Sequence, residues 1–372
     1  MEPEETGRGD GVKMGKRTIV PFGPQHPVLP EPIHLDLVIE DETVIEAIPS
    51  IGFIHRGLEK LVEKKEYTEM VYVIERICGI CSFGHGWGYC AAVEGLMDVE
   101  IPERADYLRT IWHELSRIHS HMLWLGLMAD AFGFESLFMH CWRLRETVLD
   151  IFEKTTGGRV IFSVCKIGGV RKDVDNETLG EIVSALGKMK VELKDLADVF
   201  MTDKSVKNRT LGVGVLSKEN AIKFGAVGPM ARGSGVRLDM RLNGSGIYDQ
   251  LDFEPVLETG GDCFARTNVR IREVFQSMEL IEKAVAKIPD GDIAVPVKGN
   301  PNGEFILRME QPRGEAYYYA KGTGSKFLER MRVRTPTNQN IPSLVQLLRG
   351  CDLADVPVLV LTIDPCISCT ER

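Results

Sequence analysis

Two pairs of cysteines dominate the chemistry that this 372-residue sequence can support. Cys78 and Cys81 form a Cys-x-x-Cys in Arg76-Ile77-Cys78-Gly79-Ile80-Cys81, and Cys366 and Cys369 form another in Asp364-Pro365-Cys366-Ile367-Ser368-Cys369. The spacing lets one tight turn aim two thiolates at one metal, with Gly79 relieving the crowding. Four thiolates are soft ligands, suited to zinc, iron or nickel. Structural zinc knuckles usually bring their pairs together within roughly 15 to 20 residues. These pairs stand nearly a whole chain apart, which argues for a centre that the entire fold is built around. A thioredoxin-like redox pair is the weaker reading, because neither motif lies in a βαβ context. The remaining cysteines, Cys90, Cys141, Cys165, Cys263 and Cys351, are scattered singly and read as small buried hydrophobes.

The elements that must position these thiols are legible in part. Ile33, Leu35, Leu37 and Ile39 alternate with polar residues, Glu-Asp-Glu interrupts, and Thr43 to Ile48 resumes, which predicts an antiparallel hairpin. From Pro102, a good first-turn residue, Leu108, Ile111, Trp112, Leu115, Ile118, Met122 and Leu125 recur at helical spacing and predict a long amphipathic helix. Further helices are expected at about 135–154, 177–201 and 266–287, the second of these on the stripe Leu179, Ile182, Leu186, Met189, Leu193 and Leu196. The Gly-rich stretch 212–261 reads as loop with short pieces of structure. From Asp290 onward short strand-like segments are expected, ending in an apolar strand over 356–363. The fold class is therefore α+β, mainly α: a long-helix core with small β elements from the N-terminal and C-terminal parts. A flexible tail over 1–16 precedes one domain over 17–372.

Composition narrows the function classes. A hydrophobic content of 44% with 27% charged residues is ordinary for a globular protein. The net charge of -9, without a basic stripe, argues against nucleic acid. No run reaches the roughly 18 apolar residues of a membrane span, and the charged, Gly-rich start is not a signal peptide. An odd cysteine count disfavours a secreted disulfide framework. A cytoplasmic location follows as the expectation, with membrane association through partners. His85, His113, His119, His121 and His140 read as structural or solvated; His119 and His121 point to different helix faces, so a joint metal site is not expected. Arg232-Gly233-Ser234-Gly235 holds only a fragment of a dinucleotide fingerprint and reads as a tight loop.

The two cysteine motifs, with Arg76 and Asp364-Pro365, resemble the signature motifs of nickel-iron hydrogenase large subunits. Gly23-Pro24-Gln25-His26-Pro27, the stretch from Gly228-Pro229 through Arg232 and Gly235 to Asp239, and Gly261-Asp262-Cys263-Phe264-Ala265-Arg266 resemble the branch shared with the 49-kilodalton-type subunit of respiratory complex I. The resemblance runs from about Phe22 onward. Because uptake hydrogenase large subunits are substantially longer, it places the chain among energy-converting, membrane-associated hydrogenases. Implied are a hydrogenase large-subunit fold and reversible heterolytic cleavage of hydrogen at a nickel-iron centre whose iron carries cyanide and carbonyl ligands. Implied partners are a small subunit with a four-iron four-sulfur cluster, a ferredoxin-type carrier and membrane subunits of a complex-I-like module. The assembly would sit on the inner face of the cell membrane.

Carried over residue by residue, the resemblance makes Cys78 and Cys366 terminal nickel ligands, with Cys81 and Cys369 bridging nickel to iron. Arg313, in Glu310-Gln311-Pro312-Arg313-Gly314, matches the arginine over the open site, and Asp364 would hold it. Glu31, between Pro30 and Pro32, matches a glutamate that relays protons from the terminal thiolate. Glu59 matches a magnesium ligand. The histidine that uptake enzymes carry three residues past the last cysteine is here Arg372, which cannot bind a metal. Magnesium therefore stands open against a Glu59–Arg372 ion pair. Uptake-type precursors are trimmed just after this motif, so a chain ending at Arg372 reads as trimmed or as made without an extension. The competing reading is a metal-free, complex-I-like quinone-site or coupling subunit. Complex I subunits resembling this chain lack the cysteine pairs, which discriminates the two.

Overall fold

A computed structural model describes residues 17–26, 29 and 31–372. The tail expected over 1–16 lies outside the described residues, as do the prolines at 27 and 30. Strands β1 (Arg17–Phe22), β2 (His34–Glu40) and β3 (Thr43–Ser50) form an antiparallel sheet in that order. Leu35 and Leu37 face the core and the turn places Asp41 at positive φ, a conformation Asp tolerates. This is the expected hairpin with β1 added at its edge.

The helices that follow are α1 (Leu58–Val62), α2 (Val71–Ile74), α3 (Ser82–Met97), α4 (Glu103–Ala131) and α5 (Glu135–Thr156). A hairpin with strands of two residues each, β4 (Cys165–Lys166) and β5 (Gly169–Val170), leads to α6 (Asn176–Thr202). Short helices α7 (Lys204–Thr210), α8 (Lys218–Lys223) and α9 (Pro229–Arg232) precede α10 (Cys263–Lys287), the last two of them within the Gly-rich region. Strands β6 (Asn302–Gln311), β7 (Gly314–Thr323) and β8 (Leu328–Arg334) make a second three-stranded antiparallel sheet. Helices α11 (Pro336–Leu348), α12 (Val356–Thr362) and α13 (Ile367–Glu371) complete the order.

The mainly helical class with small sheets is the one expected, and α4, α5, α6 and α10 lie where hydrophobic periodicity put them. Caps explain two of their starts: Asp175 accepts from Thr178 N at 2.7 Å ahead of α6, and Asp262 from Ala265 N at 2.7 Å ahead of α10. Helix α4 departs from the amphipathic expectation. Packed between α5 and α10, it also buries Arg109, His113, Glu114, Arg117, His119 and His121. Such charges are tolerated because they are paired, as where Arg109 makes a bidentate contact with Glu94 at 2.7 and 2.8 Å.

The expected apolar strand over 356–363 is instead helix α12. Val356, Val358, Leu359, Val360 and Leu361 are all buried, so no solvent face imposes a period, and Pro357 opens the first turn. Helix α3, which follows the first cysteine pair, was not expected either. Its glycines let the sheet approach closely: a Cβ on Gly88 would lie 2.4 Å from the Tyr318 ring on β7.

Candidate metal centre

Cys78 and Cys81 sit on the turn between a short 3-10 helix (Glu75–Ile77) and α3, with Cys81 capping α3; Cys366 caps α13 and Cys369 lies within it. Two helix starts therefore present the four thiols to one buried point. The sulfurs of Cys78, Cys366 and Cys369 all lie within 4.8 Å of one another, and Cys366 Sγ and Cys78 Sγ share a hydrogen bond at 3.3 Å. Cys81 completes the group through sulfur contacts with Cys369 and Cys78.

Shared protons divide the group. Hydrogen bonds with Cys369 and Cys78 hold the Cys81 and Cys366 thiols well below the usual range. Cys78 is raised, chiefly by its hydrogen bond with Cys366, and Cys369 is raised, chiefly by burial. Backbone N–H groups of Ile80 and Cys81 point at Cys78 Sγ at 3.3 and 3.1 Å. The donor set is thus four soft sulfurs with N–H donors beside them, which fits a soft or borderline transition metal and does not fit a hard ion such as magnesium.

Arg313 stands over the thiols. The two-residue loop Pro312-Arg313 joins β6 to β7, and the backbone before α9 packs onto it: a Cβ on Gly228, at φ 64, would fall 2.2 Å from Arg313 O. From this anchored loop Arg313 Nη1 donates to Cys81 Sγ at 3.1 Å and Ser120 Oγ at 3.2 Å. Its Nη2 pairs with Asp364 Oδ1 at 2.8 Å, and its Nε donates to Asp364 O at 3.0 Å. Burial opposes the guanidinium charge, but Asp364 and the thiolates, Cys81 foremost, outweigh it and keep the group cationic. Asp364 itself is raised by burial, with Oδ2 lacking a partner among the described residues.

Glu31 reaches the other side of the centre. Its Oε2 accepts from Ile367 N and, at 3.3 Å, from Ser368 N, the amides of the turn between Cys366 and Cys369. Burial and the neighbouring Cys366 push its carboxyl up to about 8, so it holds a proton readily at neutral pH. At the chain's last residues Arg372 Nε pairs with Glu59 Oε1 at 2.9 Å. Glu59 also accepts from Val333 N at 2.9 Å and Arg330 Nη2 at 3.3 Å. Guanidinium groups already neutralise this carboxylate, so a divalent cation does not fit there.

Three participants went unrecognised in the sequence. His85, read there as structural or solvated, lies one turn into α3 with Nε2 3.4 Å from Cys369 Sγ. Tyr318 O–H at 2.9 Å and Gln311 Nε2 at 3.4 Å face its Nδ1, which leaves the ring proton on Nε2, toward the sulfur. Burial holds the imidazole down to about 4, so it acts as a neutral N–H donor. Arg56 bridges the motifs, donating to Arg76 O, Ile77 O and Ser368 O at 2.7, 2.9 and 3.2 Å. Glu371 accepts from Gly52 N and Ile54 N at 2.7 and 2.5 Å, latching α13 to the loop after β3. The available signal was position: His85 four residues past Cys81, Arg56 ahead of α1, and Glu371 two past Cys369.

Comparisons with known proteins place the chain in a family. The family described as respiratory-chain NADH dehydrogenase, 49 Kd subunit, matches residues 131–299 and 295–372, and that described as nickel-dependent hydrogenase matches residues 56–129. The chain is 38% identical over 356 residues to the carbon monoxide-induced hydrogenase of Rhodospirillum rubrum, covering 95% of this chain and 99% of that protein. It is 38% identical over 371 residues to the membrane-bound hydrogenase subunit alpha of Pyrococcus furiosus, covering 95% and 87%. An NADH-quinone oxidoreductase subunit of Geobacillus thermodenitrificans is 35% identical over 355 residues, covering 93% and 96%. Among solved structures, a chain of the membrane-bound sulfane sulfur reductase, an archaeal respiratory membrane complex, superposes with a TM-score of 0.91 at 30% identity, covering 96% of this chain and 98% of that one.

Proposed function

Because the chain belongs to the family that unites large subunits of membrane-bound, energy-converting hydrogenases with 49-kilodalton-type subunits of respiratory NADH dehydrogenases, we propose that it is the catalytic subunit of a nickel-iron hydrogenase. The observation that carries this reading is the convergence of Cys78, Cys81, Cys366 and Cys369 on one buried point. A nickel-iron centre with cyanide and carbonyl ligands on iron, held by those four thiolates, would supply the redox and Lewis-acid chemistry for splitting or forming hydrogen.

The chain's own residues supply the rest. Arg313 holds a fixed, buried cation against the thiolates, and Asp364 fixes its plane. His85 donates an N–H toward Cys369. Glu31 carries a proton between the Cys366 side of the pocket and the protein exterior. Electrons leave through a partner, a small subunit with a four-iron four-sulfur cluster that exchanges them with a ferredoxin-type carrier. Among the described residues the other cysteines join no group that could ligate a cluster. No helix among the described residues is long and apolar enough to cross a membrane, so attachment to the inner face of the cell membrane falls to the subunits of a complex-I-like module.

Metal analysis of the natively matured complex tests this reading. Nickel bound together with iron, and hydrogen-dependent dye reduction, are expected. Zinc alone would favour a structural site, and a complex without nickel would favour a quinone-site or coupling subunit.

Glu31→Gln keeps the shape and the acceptor to Ile367 N but removes the titrating proton. Metal content should stay at the wild-type level while hydrogen-deuterium exchange slows by roughly a hundredfold. Exchange at the wild-type rate would remove Glu31 from the proton path.

A further inference from the structure

Behind the thiolate pocket, α4, α10, the loop after α9 and the end of β6 enclose a second ionic cluster. Its carboxyl groups are Glu114, Asp239, Glu273 and Glu310, and its guanidinium groups are Arg117, Arg232 and Arg241, all buried. Arg232 Nε pairs with Glu273 Oε1 at 2.8 Å. Arg241 grips Asp239 in a bidentate contact at 3.0 and 2.8 Å. Arg117 lies 3.3 Å from Glu114, which also accepts from Tyr248 O–H and Ser277 O–H, both at 2.5 Å.

Three of these carboxyl groups, Asp239, Glu273 and Glu310, thus share Arg232, and of them Asp239 alone is gripped by Arg241 as well. A poorly compensated charge in a dry interior is costly, so the carboxyl with the weakest cation pairing favours a proton. His121, 2.8 Å from Glu273, does not hold it, because burial, reinforced by Arg270 and Arg117, keeps its imidazole neutral. His113, next to Arg117, is held neutral in the same way.

Geometry selects the carrier. Arg232 Nη1 is shared between Asp239 Oδ2 at 3.1 Å and Glu310 Oε1 at 2.6 Å. Asp239 has Arg241 in addition. Glu310 has no second cation paired with it among the described residues, only the Met240 N–H on Oε2 at 3.0 Å. Arg232 Nη2 and His113 Nδ1 lack acceptors among the described residues, and buried donors of this kind are commonly met by internal water.

We propose that Glu310, paired with Asp239 across Arg232, is a proton-loading site of this chain, taking one proton from solvent and returning it without any change in electron count. Its existence rests on the charges of this chain alone. Its use in turnover rests on the hydrogenase reading: Glu310 and Arg313 share one hairpin, so loading the site changes the charge just behind the cation that faces Cys81.

Groups facing Glu310 are Arg232 from α9, Asp239 and Arg241 from the loop after it, Glu273 and Arg270 from α10, and His113, Glu114 and Arg117 from α4. Burial and Asp239 push its carboxyl up to about 7, so it is protonated below that value and ionised above it. Infrared spectroscopy of the purified, matured complex tests this in water and deuterium oxide. Glu31 and Glu75 are also raised by burial and would contribute, so the wild-type minus Glu310→Gln difference is the reading needed. That difference should contain a deuterium-sensitive carboxylic acid carbonyl band that disappears as pH rises through neutrality. Asp239→Asn removes the competing negative charge and should shift the loss of this band to lower pH. A difference spectrum without the band overturns the proposal. If Glu310→Gln does not assemble, an unshifted midpoint in Asp239→Asn overturns it equally. Neither result uses hydrogen turnover or metal content, so this site and the metal reading can fail separately.

Discussion

Replacing Cys81 or Cys369 by serine is expected to remove nickel, iron and hydrogen activity together. Both side chains are buried among the other thiols, where a serine would present a harder oxygen that stays protonated at neutral pH and binds a soft or borderline metal poorly. If these two bridge the metals, as the family resemblance implies, losing either opens the centre, and activity should fall to background. Replacing Cys78 or Cys366, the terminal positions, should also abolish activity but leave iron bound. Cys90 and Cys351 are the internal controls. Burial pushes both thiols up, to about 12 for Cys351, as for inert structural cysteines. Serine at either should change stability at most. Metal analysis and hydrogen uptake on these six variants decide the matter, and full activity surviving loss of any paired cysteine would refute the central assignment.

Arg313→Lys should lower turnover per bound nickel by roughly a hundredfold, the scale on which loss of one preorganised donor at a reacting centre is felt. Arg313 contacts Cys81, Ser120 and Asp364 through all three of its guanidinium nitrogens. Lysine keeps the charge but has one nitrogen and no planar fork, so it cannot satisfy both Asp364 and the thiolate side. The four cysteines, and with them nickel occupancy, should be little affected. Activity normalised to nickel is the measurement that isolates the effect. An unchanged turnover number would place Arg313 outside the reaction, and equal falls in nickel and activity would make its role one of assembly.

The candidate ligand set was legible because it is written locally. Each Cys-x-x-Cys needs only a turn to aim both thiols, and the length of chain between the pairs already argued against a compact zinc knuckle. Helices α4, α5, α6 and α10 were legible for a related reason: each buries an apolar stripe, so the burial leaves a period in the sequence. The hairpin of β2 and β3 showed the two-residue alternation of a sheet with one buried face.

Tertiary structure decided the rest. Helix α12 is apolar on every face because it is enclosed, so its residues could not say helix rather than strand. Helix α3 is rich in glycine, a poor helix former, and the reason for its glycines, the close approach of Tyr318 and its sheet, lies in the tertiary packing. The stripe on α4 was real, yet its polar face was not solvent: neighbours supply Glu273 to His121 and Glu310 O to His113. His85 could be given its place only when α3 and α13 met, since Cys369 lies 284 positions away in the chain. Periodicity reports which side of an element avoids water. It carries no information about which distant group a buried polar side chain will meet, because that pairing is set by packing between elements rather than by the local run of residues.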